Sequence, residues 1–288
     1  MNDPKSEIGN RKSEIQASVL GIVAGGGVLP RMIAEACRTQ GRPFFVLAFE
    51  ESTEAATVAG VPHAWCRLGA IGAALKALRE AGAKDIVMAG RMHRPSLATL
   101  KPDLTATMLL ARLGPKLMAG DDALLKAIAD FLEKEGFSVV GPETVLTSLL
   151  AAEGLMGRHK PDAQAVKDIA LGLAVLRALG PFDIGQAVII QQGAVLGIEA
   201  TEGTAALIAR CGSCKRESGG GVLVKARKPG QDARMDLPAI GPDTIASLHA
   251  AGFSGAAVEA HGALVIDRET LVHEADRLGM FITGVKAG

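Results

Sequence analysis

Residues 19–24 read VLGIVA, with no polar position to face water. That marks a strand covered on both faces, as in a parallel sheet. The turn Gly25-Gly26-Gly27 follows at once, and Pro30 suits a first helical turn, where its missing N–H removes no hydrogen bond. Met32, Ile33, Ala36 and Cys37 then recur at helical spacing. Further along, 44–49 (FFVLAF) predicts a second strand, 63–67 a short third, 71–81 a helix and 85–89 a fourth strand. Strands alternating with helices predict an α/β fold with a doubly wound, Rossmann-like parallel sheet. Asp121 and Asp122 open the periodic segment ALLKAIADFLEKEG, a helix stopped by Gly136, and 137–140 gives another strand.

The pattern then changes. Residues 151–165, AAEGLMGRHKPDAQA, carry no sustained period and predict a linker. Beyond it, 187–191 and 195–200 read as strands of a hairpin turning at Gln192-Gly193. Residues 203–210 read as a helix, 221–226 as a strand, 243–251 as a helix, 256–260 with 264–266 as a strand pair, 269–278 as a helix and 281–285 as a last strand. The expected organisation is a polar extension over 1–18, a Rossmann-like nucleotide- or phosphate-binding domain over 19–150, a linker over 151–165 and an α+β domain over 166–288.

Charge narrows the partners. Among 288 residues, Lys plus Arg and Asp plus Glu number 31 each, so no broad positive field is present to hold nucleic acid. Aromatic residues are 3% of the chain, too few for a base-stacking platform. No apolar run approaches a membrane span, and the N-terminus lacks the apolar core of a secretory signal. Four scattered cysteines suit a reducing compartment, and a cytoplasmic protein is expected. Cys211-Gly-Ser-Cys214 has no second pair to complete a zinc site, and reads as an exposed loop with incidental thiols.

Three stretches carry candidate chemistry. Gly25, Gly26 and Gly27 present backbone N–H groups at a helix start, which favours a phosphate. Gly25 and Gly27 match a dinucleotide fingerprint in part, with Pro30 in place of its third glycine, and Glu50 and Glu51 end the second strand where a ribose-binding acid would lie. Gly90-Arg91-Met92-His93-Arg94 follows the fourth strand, where Arg91 is set to meet phosphate oxygens or to serve as a solvated basic loop. Asp121 and Asp122 are an ordinary helix start or carboxylates for a divalent ion. Thr204 opens a helix after Glu199-Ala-Thr-Glu202-Gly203. The segment KARKPGQDARMDLPAIG, from Lys225 through Lys228 and Arg234 to Gly241, sets Asp236 between Met235, Leu237 and Pro238. On composition alone such an acid is tied to a turn, or else kept for a metal or a water.

At these residues the chain resembles the LpxI family of UDP-2,3-diacylglucosamine pyrophosphatases. The resemblance runs from Leu20 to Val285 and is carried by GIVAGGGVLP, GDDALLKAIADFLEKEGF, FDIGQAVIIQQGAVLGIEATEGTAAL, KARKPGQDARMDLPAIGPDTI and LGMFITGV. It implies an Mg²⁺-dependent hydrolase of lipid A biosynthesis that splits UDP-2,3-diacylglucosamine into UMP and 2,3-diacylglucosamine 1-phosphate (lipid X), attacking the β-phosphorus. It implies two domains with the lipid lodged between them and transient contact with the inner-membrane surface; a homodimer is left open. The family's essential aspartate falls on Asp236, as catalytic residue and Mg²⁺ ligand, which displaces the turn reading. Lys225, Lys228, Thr204, Arg91, Asp121, Asp122 and the glycine turn are then expected to bind substrate. Two rivals stand beside it: a nicotinamide-dependent oxidoreductase, and a non-catalytic carrier of acylated sugar phosphates.

Overall fold

The computed structural model describes residues 18–92, 100–114, 121–217, 219–229, 234 and 237–286, the side chains of 121 and 122 excepted. The chain divides into two compact units, Met1–Thr147 and Ser148–Gly288.

The first unit runs β1 (Val19–Ala24), α1 (Leu29–Gln40), β2 (Phe44–Phe49), α2 (Ala55–Val58), β3 (His63–Cys66), α3 (Ile71–Glu80), β4 (Ala83–Ala89), α4 (Leu104–Leu113), α5 (Asp121–Lys134) and β5 (Ser138–Val139). The strands lie in the order β3-β2-β1-β4-β5, every pairing parallel. Leu20, Ile22, Val46, Ile86 and Val87 are buried along its middle, as an apolar strand covered on both faces requires. Gly21 lets the sheet close here, since a Cβ on it would lie 2.6 Å from Ile86 Cδ1. Helix α1 carries Pro30 in its first turn and ends on Gly41, in the left-handed region at φ 67°. At the opposite rim of the sheet the buried Arg42 donates to Asp85 at 2.8 Å, and Ser18 donates to the same carboxylate. The sheet order reverses between β1 and β4, so their carboxyl ends flank the crevice where open α/β sheets take ligands.

The second unit runs β6 (Gly154–Leu155), α6 (Ala163–Leu179), β7 (Ala187–Gln191), β8 (Ala194–Ile198), α7 (Thr204–Ser213), β9 (Val222–Lys225), β10 (Ala239–Ile240), α8 (Pro242–Ala250), β11 (Gly255–Glu259), β12 (Leu264–Val265), α9 (Arg268–Arg277) and β13 (Phe281–Val285). Its main sheet has the order β6-β13-β11-β9-β7-β8, with β9, β11 and β13 parallel and the outer strands antiparallel. Ile189, Leu223, Val258 and Ile282 face Leu207, Ile208, Leu248 and Leu271 of α7, α8 and α9. Val188, Ile190, Val222 and Val224 face Ile169 and Leu176 of α6. This unit is therefore a mixed sheet between two helical layers, and the whole chain is α/β as expected.

Three local expectations have different outcomes. The hairpin forms at Gln192-Gly193, both in the left-handed region at φ 51° and 76°, as a two-residue turn between right-twisted strands demands. The buried Asp168 of α6 seals it by accepting both turn N–H groups at 2.8 Å. The strand pair expected at 256–260 and 264–266 does not form. Instead β11 lies between β9 and β13, while β12 pairs in parallel with β10. The connection through His261, at φ 58°, carries the chain out of the main sheet. Residues 151–165, expected as a linker, supply β6, which pairs with β13, and the start of α6.

Candidate functional site

At the crevice of the first unit the glycine turn is engaged with the protein itself. Gly25 N–H donates to the Ala89 carbonyl at 2.7 Å, and Gly26 N–H to that of Arg91 at 2.8 Å, with Arg91 N–H returning to Gly26 at 2.9 Å. Gly27 N–H donates to Glu54 Oε1 at 3.2 Å. A Cβ on Gly25 would stand 2.4 Å from the Arg91 carbonyl oxygen, so the glycine is required by the close approach of two backbones. Gly90, at φ 90°, closes the same contact beside Pro30. Thr53, which no sequence motif singles out, ties the loop after β2 to β1 by donating to Ala24 at 2.6 Å. Arg91 is exposed at this mouth, and Glu50 is exposed past β2, while Glu51 accepts from Leu68 N–H at 3.3 Å. Asp121 and Asp122 begin α5, with side chains outside the described residues; His93 and Arg94 lie outside them altogether.

The second unit gathers its charged groups where β8, β9 and β11 end. Lys225 closes β9 and is only 6% exposed, a burial that an ammonium tolerates when it is hydrogen-bonded. Its Nζ donates to Thr204 Oγ1 at 2.8 Å and to the Ala239 carbonyl at 3.0 Å. Thr204, the first residue of α7, passes the chain on by donating to Glu199 Oε1 at 2.7 Å. Glu259 closes β11 and grips Arg227 at three points, the backbone N–H at 2.7 Å and the guanidinium Nε and Nη2 at 3.1 and 2.8 Å. Lys228 is buried and donates to Asp183.

These contacts bracket the segment that carries Asp236. Met235 and Asp236 lie outside the described residues, but the chain on either side is pinned. Arg227 and Lys228 are held on the leading side. On the trailing side Lys225 holds Ala239, and the Pro238 carbonyl accepts from Leu264 N–H at 2.8 Å. Lys225, Thr204 and Lys228, expected from sequence to contact substrate, are brought to one end of the sheet and hydrogen-bonded to protein groups there. Glu259 and Asp183 were missed; a carboxylate closing the otherwise apolar run GAAVE was the available signal.

The expected exposed loop at Cys211-Gly-Ser-Cys214 is corrected. Cys211 is buried on α7 in the core, where a Cβ on Gly197 would come within 2.5 Å of its sulfur, and burial pushes its thiol pKa up. Only Cys214, at the helix end, is exposed, and both thiols are free. Among the described residues no group of three or more His, Cys, Asp or Glu stands ready to hold a metal. Glu199, Glu259 and Asp183 each already accept from a hydroxyl or a cation.

The comparisons with known proteins bear on this arrangement. Residues 19–149 match the LpxI N-terminal domain and residues 152–283 the LpxI C-terminal domain. The UDP-2,3-diacylglucosamine pyrophosphatase LpxI of Caulobacter vibrioides (strain ATCC 19089 / CIP 103742 / CB 15) is 38% identical over 272 residues, covering 92% of this chain and 97% of that protein. A solved N5-carboxyaminoimidazole synthase from Aspergillus clavatus is 14% identical over 69% of this chain and 44% of its own, with a TM-score of 0.22, too low to bear on the fold. Matched in both halves and along nearly the full length of a relative, the chain belongs to the LpxI family.

Proposed function

We propose that the chain hydrolyses the phosphoanhydride of UDP-2,3-diacylglucosamine, releasing UMP and 2,3-diacylglucosamine 1-phosphate in lipid A biosynthesis. The observation that carries this reading is the 38% identity, over 92% of the chain, to a pyrophosphatase of that name. Arg227 and Lys228, in the stretch of chain that leads to Asp236, support it, because the substrate's two linked phosphates need basic donors near the acid that works on them.

A phosphoanhydride resists water chiefly through its own negative charge. Asp236 is the residue we assign to holding Mg²⁺ and orienting the attacking water. Mg²⁺ is commonly held by one or two carboxylates with substrate phosphates and its own waters, and Asp236 would be such a carboxylate. When bound, the ion neutralises charge developing on the phosphates. Arg227, clamped by Glu259, and Lys228, paired with Asp183, are held in fixed positions at the same end of the sheet and need not reorganise to meet the phosphates. In the first unit, a phosphate reaching the crevice meets the exposed Arg91 rather than the glycine N–H groups, which are already taken. That occupancy also weighs against the nicotinamide reading. No described helix is long and apolar enough to cross a membrane, and we place the protein in the cytoplasm, visiting the inner-membrane surface to collect its acylated substrate.

Chelation tests the reading. EDTA is expected to bring UMP release down to the assay background, and excess Mg²⁺ to restore it. Undiminished release in EDTA would remove the ion from the scheme. Retention of the lipid with no UMP formed, even with Mg²⁺, would establish the carrier instead.

A further inference from the structure

A lysine meant to grip a phosphate usually ends in solvent or in an open cleft. Lys225 does neither: it is nine-tenths buried, and two of its hydrogen bonds go to the Thr204 hydroxyl and the Ala239 carbonyl. Through these it links three places that are distant in sequence. The first is the end of β9, to which it belongs. The second is the start of α7, reached through Thr204 and continued to Glu199 beyond β8. The third is β10, which begins three residues after Asp236. Ala239 has a second anchor through the parallel pairing of β10 with β12. The lysine therefore fixes the trailing end of the Asp236 segment against the main sheet.

We propose that Lys225 is a positioning residue, acting on the reaction by holding the Asp236 segment in place rather than by touching the phosphates. This refines the substrate-binding role expected from sequence, and its kinetic part rests on the hydrolase reading above. The Glu199-Thr204-Lys225 chain is the device: the carboxylate orients the hydroxyl, the hydroxyl accepts from the ammonium, and the ammonium holds the backbone carbonyl. Misplacing a catalytic group by about 1 Å costs on the order of 10²-fold in rate.

Lys225→Met keeps the aliphatic stem and removes the ammonium. Its kcat should fall about 10²-fold with KM changed by less than about threefold, the split expected when ground-state contacts survive. Hydrogen exchange provides a readout independent of turnover: the amides of Leu237, Ala239, Ile240 and Gly241 should exchange faster in the variant, while those of β7, β9 and β11 stay as in the unaltered protein. Thr204→Val breaks the same chain and serves if Lys225→Met does not fold, and Thr204→Ser should recover most of what Thr204→Val loses. A raised KM with kcat retained would overturn the proposal in favour of direct phosphate contact. Unchanged exchange at 237–241 would overturn it as well. Failure of the unaltered protein to release UMP would sink the hydrolase reading alone, since the exchange comparison still decides whether Lys225 anchors the segment.

Discussion

Asp236→Ala is expected to lower UMP release by about 10³-fold or more, on the order of 4 kcal/mol of transition-state stabilisation, with the melting temperature unchanged. The reason lies in what surrounds the position. Arg227 and Lys228 on one side and Pro238 and Ala239 on the other are held by Glu259, Asp183, Leu264 and Lys225, so the neighbouring backbone keeps its anchors when one carboxylate is removed. What disappears is the acid itself, the group proposed to hold Mg²⁺ and a water against the pyrophosphate. A steady-state assay beside a thermal melt checks both halves. Activity near the level of the unaltered protein would strip Asp236 of its role.

Gly25→Ala carries the largest structural effect. The added Cβ would stand 2.4 Å from the Arg91 carbonyl oxygen and 2.8 Å from the Gly90 carbonyl carbon, both backbone atoms that cannot swing aside. The two loops must part, which breaks the paired hydrogen bonds between Gly26 and Arg91 as well. Overpacking of this kind costs about 3 kcal/mol or more, and for a unit of this size melting should drop by roughly 6–12 °C. A scan of the first unit's unfolding checks this. If stability held while activity vanished, the triplet would revert to the phosphate-binding role that its sequence suggested, because only a ligand would then need the space.

That contrast shows where sequence was sufficient. A glycine triplet between an apolar strand and a proline-started helix says that backbone must come close to something, and leaves open whether the something is a phosphate or another loop. Here it is the loop at Gly90-Arg91. The parallel sheet was legible because β1 and β2 are apolar runs of the right length and β4 carries the apolar run IVMA, each beside a glycine or proline turn. The hairpin was legible because Gln192-Gly193 offers two residues able to take positive φ.

Helix α6 was not, for a physical reason. Its buried stripe is Ala165, Asp168, Ile169, Gly172 and Leu176, so small and charged residues stand where apolar ones would have announced the period. Gly172 is small because Val224 presses on it, a Cβ there falling 2.6 Å from Val224 Cγ2, and Asp168 is charged because it caps the hairpin. Helix α4 was hidden differently, by leaving Leu104 and Met108 exposed, which blurs the contrast between its faces. In the site, single residues suggested basic groups near an acid, but not that Glu199, Glu259 and Asp183 would hold those groups. Pairings across long sequence separations have no local signature. Asp236 itself was picked out only by likeness to a family, since one acid among Met235, Leu237 and Pro238 is otherwise indistinguishable from a turn residue.

The most direct test is to incubate the protein with UDP-2,3-diacylglucosamine and Mg²⁺ in ¹⁸O-labelled water and weigh both products. UMP and 2,3-diacylglucosamine 1-phosphate are expected in equal amounts over many turnovers, with the label in the lipid phosphate and none in UMP, as attack at the β-phosphorus requires. Substrate recovered intact and bound to the protein would contradict this, and label found in UMP would show that water enters at the other phosphorus.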